Sequence, residues 1–228
     1  WQLHRHSGLY DMMHFLYELW LFCCLCPFIL GMGCWWPCCT ECAICSDDWT
    51  GIADGTDVST GTACGWTEDA GAWSVTSNAV TTTSANARLR SNTPHPAGTG
   101  EQKITVTLSS SASADLIRVV LAYVDVDNYH FCEVKTGASG YIRLYKRVAT
   151  VETLIDVQAD QPTTHFATST PRTIAVCLND AQALFTARSL DNTDIAIQGS
   201  VTIPASANEF GLATGATVTG TVTFDNFT

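Results

Sequence analysis

Lys103-Ile104-Thr105-Val106-Thr107-Leu108 is the stretch on which the fold turns. Successive side chains of an extended chain point to opposite sides, so Ile104, Val106 and Leu108 share one face and Lys103, Thr105 and Thr107 the other. A helix would scatter that pattern around its circumference. The alternation returns where Val218, Val222 and Phe224 stand against Thr219, Thr221 and Thr223, and Ile174, Val176 and Leu178 give another strand. Leu116 to Val126 is apolar on both faces, as a central strand must be. Thr136-Gly137-Ala138-Ser139-Gly140, Asn179-Asp180 and Asp191-Asn192 read as turns between the runs, and Ser91 to Gly100, with two Pro and two Gly, reads as a loop. Many short strands, no convincing helix and no internal repeat predict an all-β, antiparallel two-sheet sandwich over residues 47–228.

Of the 228 residues 46% are hydrophobic and 14% charged, enough apolar material for one sizeable core. The net charge is -11, from 22 acidic and 11 basic residues. Such a chain repels phosphate backbones, and the sequence has no Lys/Arg cluster to override the repulsion, so nucleic acid is not an expected partner.

Residues 1–46 have a different character and are read as a hydrophobic, Cys-rich N-terminal segment. Eight of the eleven cysteines lie between Cys23 and Cys45, and Leu19 to Thr40 carries no charge. That length suits a membrane span of about 20 residues, but Pro27, Gly31 and Gly33 interrupt it. Gly8 to Cys26 reads as a helix with Asp11, His14 and Glu18 on one polar stripe. A secretory signal is a competing reading, without an evident basic start or small-residue cleavage site. The chain opens on Trp1, and Met12, Met13 and Met32 are alternative starts; a start at Met32 would leave the preceding stretch untranslated. If translated, the apolar strip over residues 15–40 is expected to seek a membrane or a partner chain, because large exposed apolar patches mark such contacts.

Beyond Asp47 the chain resembles the concanavalin A-like lectin/glucanase superfamily, in its laminin G-like branch of bacterial and phage proteins. Asp47-Asp48-Trp49 looks like that family's first strand. Trp66-Thr67 with Gly71-Ala72-Trp73-Ser74-Val75 resembles a strand pair. Asp127-Asn128-Tyr129-His130-Phe131, running into Gly140-Tyr141-Ile142-Arg143-Leu144, resembles its central hairpin. Gly211-Leu212 and Thr221 to Phe227 resemble its closing strands. The resemblance implies a jelly roll with adjacent termini and buried aromatics at Trp66 and Trp73. Relatives include lectins, adhesion modules, virion proteins and glycosidases, so the fold leaves the function open.

Glycoside hydrolysis by a retaining mechanism needs two carboxyl groups about 5–5.5 Å apart. The Glu-x-Asp-x-Glu type of run that catalytic relatives carry is missing. Asp125 and Asp127 are two apart but lead into a turn. No nucleophile elbow, phosphate loop or zinc-protease motif occurs. The chain is therefore expected to be no enzyme, with a glycoside hydrolase as the rival reading.

The richest binding chemistry lies on the central hairpin. With Thr136 opposite Ile142, the residues Tyr129, Phe131, Glu133 and Lys135 share one face with Arg143, Tyr145 and Arg147, while Cys132, Val134 and Leu144 face the core. Rings interleaved with Arg and Glu suit a sugar, the rings against its C–H faces and the charged groups on its hydroxyls; cross-strand pairing on a plain sheet is the bland alternative. Asp47, Asp48, Asp225 and Asn226 would meet where first and last strands adjoin, and hard oxygen ligands so placed suit structural calcium, against simple capping of strand ends. Cys23-x2-Cys26, fifteen residues on, Cys42-x2-Cys45 formally matches a zinc ribbon. Disulfides at Cys34, Cys38, Cys39, Cys42 and Cys45, within the chain or to another chain, compete with it, as do unpaired or lipidated cysteines, and the odd cysteine count leaves at least one thiol over or paired with another chain. Cys177 reads as a small buried hydrophobe. The expectation is a non-catalytic extracellular, cell-surface or virion module that binds glycans or self-associates as a structural subunit.

Overall fold

A computed structural model describes residues 45–59, 62–93, 101–157, 165–179, 182–192, 194–204, 207 and 209–228. The helix expected within Gly8–Cys26, the zinc-ribbon spacing, the cysteines from Cys23 to Cys42, the strip over residues 15–40 and the candidate start at Met32 lie outside them.

The described chain is all β, in two antiparallel sheets of seven strands. The first sheet is built, edge to edge, from β1 (Trp66–Ala70), β4 (Arg88–Ser91), β13 (Glu209–Thr214), β6 (Leu116–Asp125), β7 (Asn128–Lys135), β8 (Tyr141–Val148) and β9 (Val151–Val157). The second runs β12 (Ala196–Ser200), β11 (Leu184–Ser189), β10 (Arg172–Asn179), β5 (Glu101–Ser110), β14 (Val222–Asp225), β3 (Ala79–Thr82) and β2 (Ser74–Thr76). The opening stretch of sequence is the middle of β5, and β6 lies well inside the first sheet, buried from Ile117 to Tyr123. Between the sheets, Leu89, Val119, Leu121, Leu144 and Leu212 of the first meet Ile104, Val106, Val176, Phe185 and Phe224 of the second. Each such side chain contributes roughly 1.5–3 kcal/mol when fully buried.

The adjacent termini are present in a reduced form. Asp47 and Phe227 form an isolated bridge, each donating its N–H to the other's carbonyl at 2.9 Å. Asp47-Asp48-Trp49 is therefore no full strand, and among the described residues the first strand starts at Trp66. The expected pairing of Trp66-Thr67 with Gly71–Val75 is also corrected, since β1 and β2 lie in different sheets. The chain crosses between sheets at Gly71, whose φ of +80° favours glycine and whose Cβ, were there one, would meet Ala87 Cβ at 2.5 Å. Trp66 and Trp73 are both buried.

Candidate ligand-binding face

The hairpin of β7 and β8 pairs Lys135 with Tyr141, Val134 with Ile142, Glu133 with Arg143, Phe131 with Tyr145 and Tyr129 with Arg147. This register differs from the expected one by two residues. A shift of two leaves every side chain on its side of the sheet, because the period of a strand is two. Cys132, Val134, Ile142 and Leu144 accordingly face the core, and Tyr129, Phe131, Glu133, Lys135, Tyr141, Arg143, Tyr145 and Arg147 share the outer face.

Neighbouring strands widen that face. Pairing with β7 places Arg118 and Val120 of β6 on it; β13 adds Glu209, Gly211 and Ala213, β4 adds Arg88 and Arg90, and β1 adds Asp69. Tyr123 joins through a β-bulge. Even-numbered residues of β6 point outward up to Val120, but the register shifts between Leu121 and Asp125, and Ala122 takes a φ of 48°. Against β13 one extra residue lies between Val120 and Tyr123, which reverses the alternation, so Ala122 packs in the inter-sheet core and Tyr123 outside it. Gln102 of the opposite sheet holds the bulge: its Oε1 accepts from Ala122 N–H at 3.0 Å and its Nε2 donates to the Ala207 carbonyl at 3.0 Å. Six of the chain's eleven basic residues and all four tyrosines that follow Tyr17 thus converge on one sheet face.

The face is layered. Tyr129, Phe131 and Glu133, expected among the ligand contacts, are buried. Tyr129 stacks on Tyr123 at 5.9 Å and Phe131 on Tyr145 at 5.0 Å, while the Arg118 guanidinium lies 4.3 Å from the Phe131 ring centre. Long side chains from neighbouring strands lie across these rings, which the two-strand view had left open. The groups that reach solvent include Tyr141, Arg143, Tyr145 and Arg147, each partly exposed.

Ion pairs knit the layer. Arg118 bridges Glu133 at 2.7 Å and Glu152 at 2.9 Å. Burial works against the Arg118 charge, but the two carboxylates outweigh it and hold its pKa above the ordinary value. Arg147 reaches Glu152 at 3.2 Å and Asp127 at 3.6 Å. At the other side Arg90 bridges Asp69 and Glu209, and Arg88 also approaches Asp69. The Tyr123 hydroxyl donates to Asp69 at 3.1 Å; burial pushes its pKa up to about 12. Tyr141 donates to Glu133 at 3.0 Å and is pushed up as well, by burial first and Glu133 second. Both phenols are hydrogen-bond donors at neutral pH, far from the pKa near ambient pH that suits a general base.

Residue reading of the sequence missed Tyr141, Arg118, Tyr123, Arg88, Arg90, Asp69 and Glu209. A signal existed for some of them: Arg118 is a lone charge inside the apolar run of β6, and Arg88 and Arg90 flank Leu89 at period two. Nothing local announces Tyr123, because the bulge decides its side.

The other candidates have different roles. Asp47 is buried; Oδ1 accepts from Ala63 N–H, and Oδ2 from Cys64 N–H and the Trp66 indole N–H, all at 2.8–3.0 Å. Calcium would have to displace those donors or rely on neighbours. Asp48 is exposed and accepts from Thr50 N–H, and Asp225 accepts from Asn226 N–H. Among the described residues no three His, Cys, Asp or Glu side chains gather closely enough to share an ion. Cys45 is disulfide-bonded to Cys64, which joins it to the sandwich; Cys34, Cys38, Cys39 and Cys42 lie outside the described residues. Cys132 is a buried thiol as expected, whereas Cys177 is half-buried. Its neighbours Val176 and Leu178 point inward, so alternation turns Cys177 out.

No protein-family model matches the chain, and no curated protein sequence matches it. Solved structures do share its fold. The carbohydrate-binding module CBM66 from Bacillus subtilis aligns with a TM-score of 0.55 and 13% identity, over 72% of this chain and 93% of that one. The exoplasmic/lumenal domain of VIP36, solved in a Ca2+/Man3GlcNAc-bound form, aligns with a TM-score of 0.53 and 12% identity, over 71% and 81%. Alginate lyase Aly36B aligns with a TM-score of 0.52 and 8% identity, over 80% and 94%. The class defined is the jelly-roll β-sandwich, a fold that carries sugar-binding modules and enzymes alike. At these identities the likeness is one of fold alone.

Proposed function

We propose that this protein is a non-catalytic glycan-binding module whose ligand lies on the outer face of the first sheet, across β7 and β8. The observation that carries the reading is the convergence of the four sandwich tyrosines with six basic residues on that face. Tyr145, supported from below by Phe131, offers a ring to a sugar's C–H face. Tyr141, Arg143 and Arg147 supply polar groups around it, the usual make-up of a small-molecule site. Carbohydrate-binding folds among the structural neighbours support the same reading.

A hydrolase needs a carboxyl group kept protonated near neutral pH. Glu133 and Glu152 instead both bridge Arg118, which commits them to the ion pairs that hold the layer together. The Cys45–Cys64 disulfide supports an oxidising setting outside the cell or in a lumen.

Glycan-array binding with the full chain tests the proposal. The parent is expected to bind, and Tyr145→Ala to weaken binding at least about tenfold, since contacts with a large ring are worth more than about 1.4 kcal/mol. Binding indifferent to Tyr145→Ala would move the site elsewhere. Turnover of a polysaccharide that Glu133→Gln abolishes would replace the binding module by an enzyme.

A further inference from the structure

We propose that the corner of this face formed by Lys135, Tyr141 and Arg143 recognises an acidic sugar, one bearing a carboxylate or a sulfate. The inference rests on the glycan-binding reading and names the class of ligand. It comes from an imbalance in the charges. Arg88, Arg90, Arg118 and Arg147 each have a carboxylate within 4 Å. Arg143 and Lys135 have none among the described residues. Arg143 Nη1 donates to the Tyr145 hydroxyl at 3.4 Å, and its guanidinium lies 3.8 Å from the Tyr141 ring centre. Lys135 Nζ donates to Ser139 Oγ at 3.0 Å and stands 5.7 Å from the same ring centre. The nearest acid in the register, Glu133, is occupied by Arg118 and the Tyr141 hydroxyl. Arg143 Nε is buried with no partner among the described residues.

Two cations therefore flank one ring without a carboxylate in ion-pair contact among the described residues, the opposed Glu133 being held by Arg118 and Tyr141. A planar guanidinium offers paired N–H donors to two oxygens of one anion, and Lys adds a point charge beside it. The rings of Tyr141 and Tyr145 distinguish a sugar from a bare ion. The chain's net charge of -11 opposes a polyanion at long range, so recognition depends on contact. At about 0.15 M salt that opposition is screened beyond about 8 Å.

The test compares matched polymers with the full chain at that salt: polygalacturonate against its methyl ester, and dextran sulfate against dextran. At least one charged polymer is expected to bind about tenfold or more tighter than its neutral match. Arg143→Gln should remove most of that preference, and Lys135→Gln part of it, with unchanged melting temperatures. Arg188→Gln, an exposed change in the second sheet, should leave the preference intact. A charged hydrogen-bonded pair is worth about 1.5–3 kcal/mol, which is about 10–150-fold in affinity. Which acid group is read follows from which pair responds. Equal binding of charged and neutral polymers, lost in Tyr145→Ala, would overturn the acidic-sugar inference and leave glycan binding standing. A charge preference untouched by Arg143→Gln would also overturn it. No binding to any glycan would remove both readings.

Discussion

His130 shows how one residue sets a pH dependence. It belongs to β7 and points into the inter-sheet core, edge-on to Phe185 of β11 at 6.0 Å. Both ring nitrogens are buried without partners among the described residues. Burial first, and nearby Lys146 second, push its pKa down to about 4 from 6.5. The sign follows from proton counting. Between pH 6.5 and about 4 the unfolded chain holds a proton there that the folded one excludes, so stability is full above pH 6.5 and falls as the pH drops towards 4. A shift of this size is worth roughly 3 kcal/mol when fully expressed. His165, lowered by burial and by Arg172, adds to the same slope. Urea melts at pH 7 and pH 4.5 should therefore show the protein weaker at the lower pH, and His130→Leu should flatten much of the difference. An equal loss in His130→Leu would assign the acid sensitivity to other groups.

The element that matters most is the bulge in β6. It turns Tyr123 to the polar face, and the clamp from Gln102 satisfies the backbone N–H that the bulge leaves unpaired. Gln102→Leu strands that N–H and the Ala207 carbonyl in a buried place. The expected cost is about 2–3 kcal/mol, read as a melting temperature lower by roughly 5–10 °C. A variant that melts with the parent would show the bulge to be held by packing alone. At this scale the strands were legible in the residues, and the sides of β7 and β8 survived even a register error, because that error was even. The bulge was illegible: Leu121-Ala122-Tyr123-Val124 is uniformly apolar or aromatic, and no residue in it marks where the alternation reverses.

For the whole molecule, one end of the sandwich is closed by a small cluster. Asp47 gathers three donors, Trp66 packs between Trp49 and Phe227, and Cys45 is tied to Cys64 nineteen residues on. A loop of that length restricts the unfolded chain by about 3 kcal/mol. Cys45→Ser with Cys64→Ala, or reductant on the parent, should lower stability by about that amount while the sandwich remains folded; unchanged stability would show that hydrogen bonds and aromatic packing close this end alone. Calcium can be tested in the same melts. Because the Asp47 oxygens are already engaged, EDTA is expected to leave the curve unchanged. A rise of about 2.7 kcal/mol with Ca2+ at a hundredfold excess over its Kd would instead place an ion among Asp48, Asp225 and Asn226.

The sequence by itself determined that residues 47–228 form a two-sheet antiparallel β sandwich, that Val134 and Leu144 face inward, and that Tyr129, Phe131, Glu133 and Lys135 share a side with Arg143, Tyr145 and Arg147. Alternation is a local property, and burial of one face forces it wherever a strand forms. Only the tertiary structure decided which of those side chains meet solvent, that Cys45 finds Cys64, and that Arg88, Arg90, Arg118 and Tyr123 join the same face. These depend on which strands become neighbours. The order β1-β4-β13-β6-β7-β8-β9 brings Arg90 beside Glu209 across 119 residues of chain. No local pattern encodes a contact between residues so far apart, because it is fixed by the joint packing of both sheets.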